Sequence, residues 1–278
     1  MRLFTTRKHK NKQIYLSQIV EFYNIHPGRS VGYFRDKRAK EILDQIQPQH
    51  KKILDVGCGT GKLISDIKVW YPNNKFYGID ISPVNIQQAQ KNINYAEFKV
   101  ADVEQLPYSN NFFDILFCTD TLEHVYSLPH TLFEFNRVLK PAGLLIICCP
   151  NYFNFLGIIK LSLEKLHICP ANSFSLDNWY QAHENFMTYF KLKKSLKNHN
   201  FQIEYLKPFN TLQGSLPALD FSLHKIMELY KHPHLNFLSR WAQALAKAVK
   251  KINNFLDKFI LTKYFSSQMI YVCIKEKL

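Results

Sequence analysis

Three aspartates and a closely spaced run of glycines carry the first chemical signal in this chain. Asp55 precedes Gly57-Cys58-Gly59-Thr60-Gly61, Asp80 follows nineteen positions after Gly61, and Asp102 lies further on in Ala101-Asp102-Val103-Glu104. Glycine lets a backbone approach a ligand closely, and a helix opening just after the turn offers unpaired N–H groups, so the run suits a nucleotide-type ligand. Its spacing, Gly-x-Gly-x-Gly, brings the third glycine one position earlier than in the dinucleotide fingerprint, which favours a mononucleoside. At the Asp80 position an acidic side chain meets a ribose hydroxyl pair, and Asp102 adds a second carboxylate suited to an adenine amino group. Further along, Asp120-Thr121-Leu122-Glu123-His124 gathers carboxylates and an imidazole. His124, with Glu123 beside it, offers a base or a hydrogen-bonding group ahead of a metal site, although the same trio is also chemically suited to a divalent cation.

To line one crevice these residues must sit at the ends of neighbouring strands. Residues 53–56 read as a short buried strand running into the glycine turn, and 62–70 has helical apolar spacing at Leu63, Ile67 and Trp70. Further strands are expected over 75–81, 96–100 and 112–120. Glu134 to Gly143 ends a helix, and a fifth strand covers 144–149. The helix over 189–198 is followed by strands at 201–207 and 269–275. At the start of the chain, 14–24 and 33–46 read as helices separated by the breaker His26-Pro27-Gly28.

Taken together, LDVGCGTG, GIDIS, ADVEQLP, FFDILFC, LEHV and RVLKPAG resemble the class I S-adenosylmethionine-dependent methyltransferases, closest in pattern to the ubiquinone-biosynthesis O-methyltransferase group. The resemblance covers roughly a hundred residues in order and is specific for fold and cofactor. It implies an α/β fold: a doubly wound, seven-stranded, mostly parallel sheet of order 3-2-1-4-5-7-6 with strand 7 antiparallel, carrying a helical lid and an insertion. The implied cofactor is S-adenosyl-L-methionine. Gly57, Cys58, Gly59, Thr60 and Gly61 would line its methionine part and Asp80 its ribose, while Ile81 would pack on the adenine and Asp102 with Val103 would meet the adenine edge. Asp55 would help hold the ammonium, and Thr119 would face the same crevice. The N-terminal helices would cover the cofactor mouth, where Arg35 or Arg38 would pair with the methionine carboxylate; a solvated helix face is an equal reading of either arginine. Ala182-His183-Glu184-Asn185-Phe186-Met187-Thr188 resembles a stretch found before the sixth strand in relatives, making His183 a second base candidate.

Composition bounds the rest. At 278 residues one domain with insertions is expected: an N-terminal lid (1–50), a cofactor-binding core (51–150), a substrate cap and helix (151–200) and a helical insertion between strands 6 and 7 (208–268). The net charge of +14 is uneven. Residues 1–52 hold 12 Lys/Arg against 4 Asp/Glu, residues 53–150 hold 7 against 10, and residues 151–278 hold 17 against 8. An acidic core suits a cationic cofactor; basic flanks suit an anionic surface or simply solvated faces. Cys58, Cys118, Cys148, Cys149, Cys169 and Cys273 form no C-x-x-C pair and read as small core residues in a reducing compartment. The basic N-terminus is followed by no apolar run, so neither a signal peptide nor a membrane span is expected, and a cytoplasmic protein is the default.

The expected chemistry is in-line transfer of a methyl group to an oxygen on a small or lipid-like acceptor. Residues 151–168 are aromatic and aliphatic, and 237–265 reads as a basic amphipathic helix; both suit contact with the inner membrane face, or packing on the domain or on a second subunit as a homodimer. Sugar, polysaccharide or RNA methylation is the alternative of the same class. A membrane-associated cofactor-binding protein without turnover is the alternative of another.

Overall fold

The computed structural model describes residues 12–25, 37–153, 187–209, 251, 266 and 268–277. His183, Arg35, most of the 151–168 segment and nearly all of the 208–268 insertion lie outside them. In chain order the elements are α1 (Lys12–Ile25), α2 (Lys37–Ile46), β1 (Lys52–Val56), α3 (Lys62–Trp70), β2 (Lys75–Asp80), α4 (Pro83–Asn92), β3 (Ala96–Val100) and β4 (Phe113–Thr119). A 3-10 turn (Leu122–His124), α5 (Leu128–Val138), β5 (Leu139–Pro150), α6 (Tyr189–Asn198), β6 (Phe201–Phe209) and β7 (Gln268–Lys275) complete the series. The strands form one sheet of order β3-β2-β1-β4-β5-β7-β6, parallel except for β7, which runs antiparallel to both its neighbours. That is the expected sheet.

A central strand buried on both faces reads as a continuous apolar run, and each residue's parity then decides which layer it joins. In β4, Leu116 and Cys118 belong to one core cluster and Ile115 and Phe117 to the other. In β5 the split is Leu145, Ile147 and Cys149 against Ile146 and Cys148, and β7 alternates in the same way. Leu132, Phe135 and Val138 of α5, with Leu192 and Leu196 of α6, cover the first face. Leu43 of α2, Ile64 and Ile67 of α3, and Ile86 and Ala89 of α4 cover the second. The described cysteines Cys58, Cys118, Cys148, Cys149 and Cys273 are buried free thiols.

Helix starts follow local chemistry. The Ser82 hydroxyl accepts from the Asn85 N–H at 3.2 Å with Pro83 next in line, and Ser127 and Thr188 open α5 and α6 in the same way. The helix read from sequence as running to Gly143 instead ends at Val138, and the fifth strand begins at Leu139. Pro141 has no N–H for a helical bond, Ala142 turns at φ +62°, and a Cβ on Gly143 would come within 2.8 Å of the Lys140 carbonyl, so the stretch must bend. Leu139 therefore pairs with Phe113 ahead of a register shift. Lys275 of β7 donates to the Asn136 and Leu139 carbonyls at 2.7 Å each, satisfying groups that the ended helix leaves open. Sequence periodicity contains no trace of that distant lysine.

The register lines up one end of the sheet. Val56 stands opposite Ile79 and Cys118, and Asp80 opposite Val100, so the chain leaves β1, β2, β3 and β4 at a common edge. Phe117, with no exposed surface, spans the layer behind that edge. Phe117→Ala is expected to cost about 3–5 kcal/mol in denaturant unfolding, whereas Val69→Ala, at a side chain 79% exposed on α3, should stay within about 0.5 kcal/mol. Equal effects would contradict the two-layer core.

Candidate functional site

The turn between β1 and α3 is held by the end of β2. The Gly57 and Cys58 N–H groups both donate to the Ile79 carbonyl, at 2.8 and 2.9 Å, and the Gly59 N–H donates to Asp80 Oδ2 at 2.9 Å. Gly57 has φ +72°, and a Cβ there would lie 2.1 Å from Thr121 Oγ1, so both conformation and space demand glycine. Thr121 itself donates to the Thr119 carbonyl at 3.0 Å, which fixes the residues after β4 against the turn. The helix α3 opens at Gly61 without a side-chain cap, leaving its first-turn N–H groups to other partners.

Two carboxylates, one in β1 and one at the end of β2, flank this turn with little access to water. Asp80 Oδ1 accepts from the Ser82 N–H at 2.8 Å and from Asn85 Nδ2 at 3.3 Å. With the Gly59 bond this fills three of the roughly four acceptor positions of a carboxylate, and Oδ2 keeps one more. Asp55 is 2% exposed, and its Oδ1 has no hydrogen-bond partner among the described residues. Burial, and then the neighbouring Asp80 charge, push its carboxyl up to about 8. Burial also raises Asp80 above the usual carboxylate range, against the hydrogen bonds that lower it.

The helix α1 crosses the same edge. Lys12 pairs with Asp102 Oδ2 at 2.8 Å and with Glu104 Oε2 at 3.0 Å. The Tyr15 hydroxyl donates to the His124 carbonyl, and Asn24 Oδ1 accepts from the Ser82 hydroxyl at 2.6 Å. Tyr15 and Ile19 are buried against Tyr23, Ile81 and Tyr126, so Ile81 sits beneath α1. On the inner side, Arg137 donates to the Leu106 carbonyl at 2.9 Å and the Tyr108 carbonyl at 2.6 Å, while Glu134, paired with it at 2.7 Å, accepts from the Leu106 N–H. This clamp fixes the loop that carries Asp102 and Val103.

Glu123 and His124 occupy the 3-10 turn after β4, with His124 Nε2 and Glu123 Oε1 4.0 Å apart. Glu123 is buried, and the Tyr23 ring meets the His124 ring edge-on at 6.3 Å between centroids. Asp120 holds φ +48° and accepts from Gln268 Nε2 at 3.5 Å. Among the described residues no three His, Cys, Asp or Glu side chains form a metal-sized group. Thr119 ends β4 at the edge; Arg38 lies on α2 with its side chain outside the described set. Asp55, the Gly57–Gly61 turn, Asp80, Ile81, Asp102, Thr119, Glu123 and His124 thus come together at one edge. Lys12, Tyr15, Asn24 and Thr121 join them without having been singled out in the sequence. The only available signal was the i, i+4, i+8 spacing of Tyr15, Ile19 and Tyr23 on α1.

The family described as methyltransferase domain matches residues 48–209. Demethylmenaquinone methyltransferase of Thermotoga maritima is 27% identical over 189 residues, covering 64% of this chain and 81% of that protein. The methyltransferase in complex with the Haloferax volcanii Trm112 activator superposes with a TM-score of 0.59 at 15% identity, over 94% of this chain and 98% of that one. Geranyl diphosphate C-methyltransferase from Streptomyces coelicolor, solved with Mg2+, geranyl diphosphate and S-adenosyl-L-homocysteine, gives 0.57 at 11% identity over 94% and 98%. The chain belongs to the methyltransferase-domain family and is a class I S-adenosylmethionine-dependent methyltransferase. Its residues fit that cofactor: a buried carboxylate with an unpartnered oxygen calls for positive charge, and α3 opens uncapped behind a glycine turn.

Asp55 makes stability depend on pH. Its folded form keeps the proton up to about 8, against an ordinary value of 3.8, so the folded chain binds more protons than the unfolded one between those limits. That contribution to stability is complete below about pH 4 and is lost as pH rises through about 8. Asp55→Asn should therefore lose less stability than the parent between pH 5 and 8.5, measured as denaturation midpoints without cofactor. Parallel losses in the two proteins would show that Asp55 is ionised in the free fold.

Proposed function

We propose that this methyltransferase modifies an oxygen on a small or lipid-like acceptor. The observation that carries the reading is the pairing of a buried carboxylate, Glu123, with His124 beneath an aromatic wall formed by Tyr15, Tyr23 and Tyr126. When bound, S-adenosylmethionine supplies an electrophilic methyl group on a sulfonium. The chain's own work is then to align the acceptor, keep water out and take the hydroxyl proton.

In this reading Asp80 holds the ribose hydroxyls, Ile81 lies on the adenine, and Asp102 with Val103 meets its edge. Asp55 balances the ammonium through the Gly57–Gly61 turn, with Thr119 lining the crevice and Arg38 pairing with the carboxylate. His124 takes the proton at Nε2, and Glu123 stabilises the imidazolium so formed; His183 is the second base candidate. The helix α1 serves as the lid, and residues 151–200 with the 208–268 insertion complete the acceptor side.

A lipid-like acceptor is supported by the name of one relative, demethylmenaquinone methyltransferase, whose substrate carries an isoprenoid chain. Tyr23 and Tyr126, half-buried near His124, are the aromatic groups proposed to meet such a chain. No helix among the described residues is long and apolar enough to cross a membrane. Residues 151–168 and 237–265 are the proposed places of peripheral membrane contact.

Two variants test the assignment. Asp80→Ala should abolish S-adenosylmethionine binding in calorimetry while unfolding remains cooperative; retained affinity would refute the ribose role. His124→Ala should lower methyl transfer by about 10²–10⁴-fold with cofactor affinity unchanged, assayed on quinol-loaded vesicles, phenols, polysaccharide and RNA. Turnover on RNA alone, falling steeply with salt, would replace the lipid-like acceptor with a nucleic acid.

A further inference from the structure

The three attachments of α1 fall at three different strand ends. Lys12, at its first residue, reaches the loop after β3; Tyr15, one turn on, reaches the turn after β4; Asn24, at its far end, reaches Ser82 after β2. Each attachment falls beside a residue of the proposed site: Asp102, His124 and, at the end of β2 itself, Asp80. The contact at Lys12 differs in kind from the other two. It places one ammonium between two carboxylates, and the Glu104 side chain is 2% exposed. Burial alone would lower the lysine, yet the bonds to Asp102 and Glu104 outweigh it and the net shift is upward.

Both carboxylates are tied to backbone on their other sides. Asp102 Oδ1 accepts from the Glu104 N–H at 2.9 Å, and Glu104 Oε1 accepts from the Ser127 N–H at 2.6 Å. With Lys12 on Oδ2, the Asp102 carboxylate is held from both ends in a single orientation. Without Lys12, two acidic groups would face each other across one turn, and like-charge repulsion would swing the more exposed Asp102 toward water.

We propose that Lys12 is a positioning residue for cofactor recognition: its double ion pair aims Asp102 at the adenine edge and so couples the seating of α1 to occupancy of the nucleoside pocket. The proposal rests on the assignment of Asp102 to that edge. Coupling is reciprocal, so a ligand that needs Asp102 in this orientation stabilises docked α1, and docked α1 tightens the ligand. The Lys12–Asp102 arm, with side chains 36% and 22% exposed, is open to screening by salt, and the arm to buried Glu104 is screened less.

The test uses the full chain with S-adenosyl-L-homocysteine and its inosine counterpart, which carries a carbonyl in place of the adenine amino group. Lys12→Met should weaken S-adenosyl-L-homocysteine binding about tenfold and reduce the preference for adenine over hypoxanthine. Lys12→Arg, which keeps the charge, should restore both. Hydrogen exchange over residues 12–25 should slow on ligand binding in the parent and not in Lys12→Met. Tyr15→Phe, which loosens α1 without touching Asp102, should diminish the slowing yet keep the base preference. Unchanged affinity and base preference in Lys12→Met, with normal binding by the parent, would overturn this proposal alone. Failure of the parent to bind S-adenosyl-L-homocysteine would overturn the cofactor assignment with it.

Discussion

A pair of nearly desolvated carboxyl groups under a glycine turn is the constraint on which this structure depends. Asp80 cannot be buried as a bare charge, and backbone N–H groups from Gly59 and Ser82 with the Asn85 amide answer it. Those bonds pull the start of α3, the end of β2 and the cap of α4 onto one point. Asp55, a short distance away in the same acidic environment, has an oxygen without a partner and keeps its proton well above the usual range. The free fold thus holds an electrostatic cost at this point.

Around that point, distant parts of the chain are recruited for reasons of packing and charge. Thr121 fills the space that the absent Gly57 side chain leaves and ties the β4 exit to the turn. Arg137 and Glu134 reach from the end of α5 to clamp the loop after β3, and Lys12 closes that loop from outside. The acidic balance of residues 53–150 is therefore local in purpose. Of its ten carboxylates, Asp55, Asp80, Asp102, Glu104 and Glu123 stand at the carboxyl edge, while Asp114 and Glu134 are spent on Lys140 and Arg137.

Much of the fold was legible because its signals are local. The glycine spacing, the apolar period of residues 62–70 and the short ordered motifs each act within a few residues, and the sheet order followed from the resemblance they supported. The Pro141 region was misread because a helix-compatible stretch was continued past Val138, and its stop depends on a tight turn closed by Lys275 from the far end of the chain. The double ion pair of Lys12 was invisible for a similar reason: it rests on two carboxylates about ninety residues away.

The sequence by itself determined the class of ligand, the strand series and the glycine turn and aspartates of the carboxyl edge, since turn geometry and apolar period are properties of neighbouring residues. Tertiary structure alone decided which lysine serves Asp102, which carboxyl group keeps its proton and which threonine makes Gly57 obligatory. Those outcomes depend on distance, burial and opposing charge between segments that meet only after the sheet has closed, and no spacing along the chain encodes them.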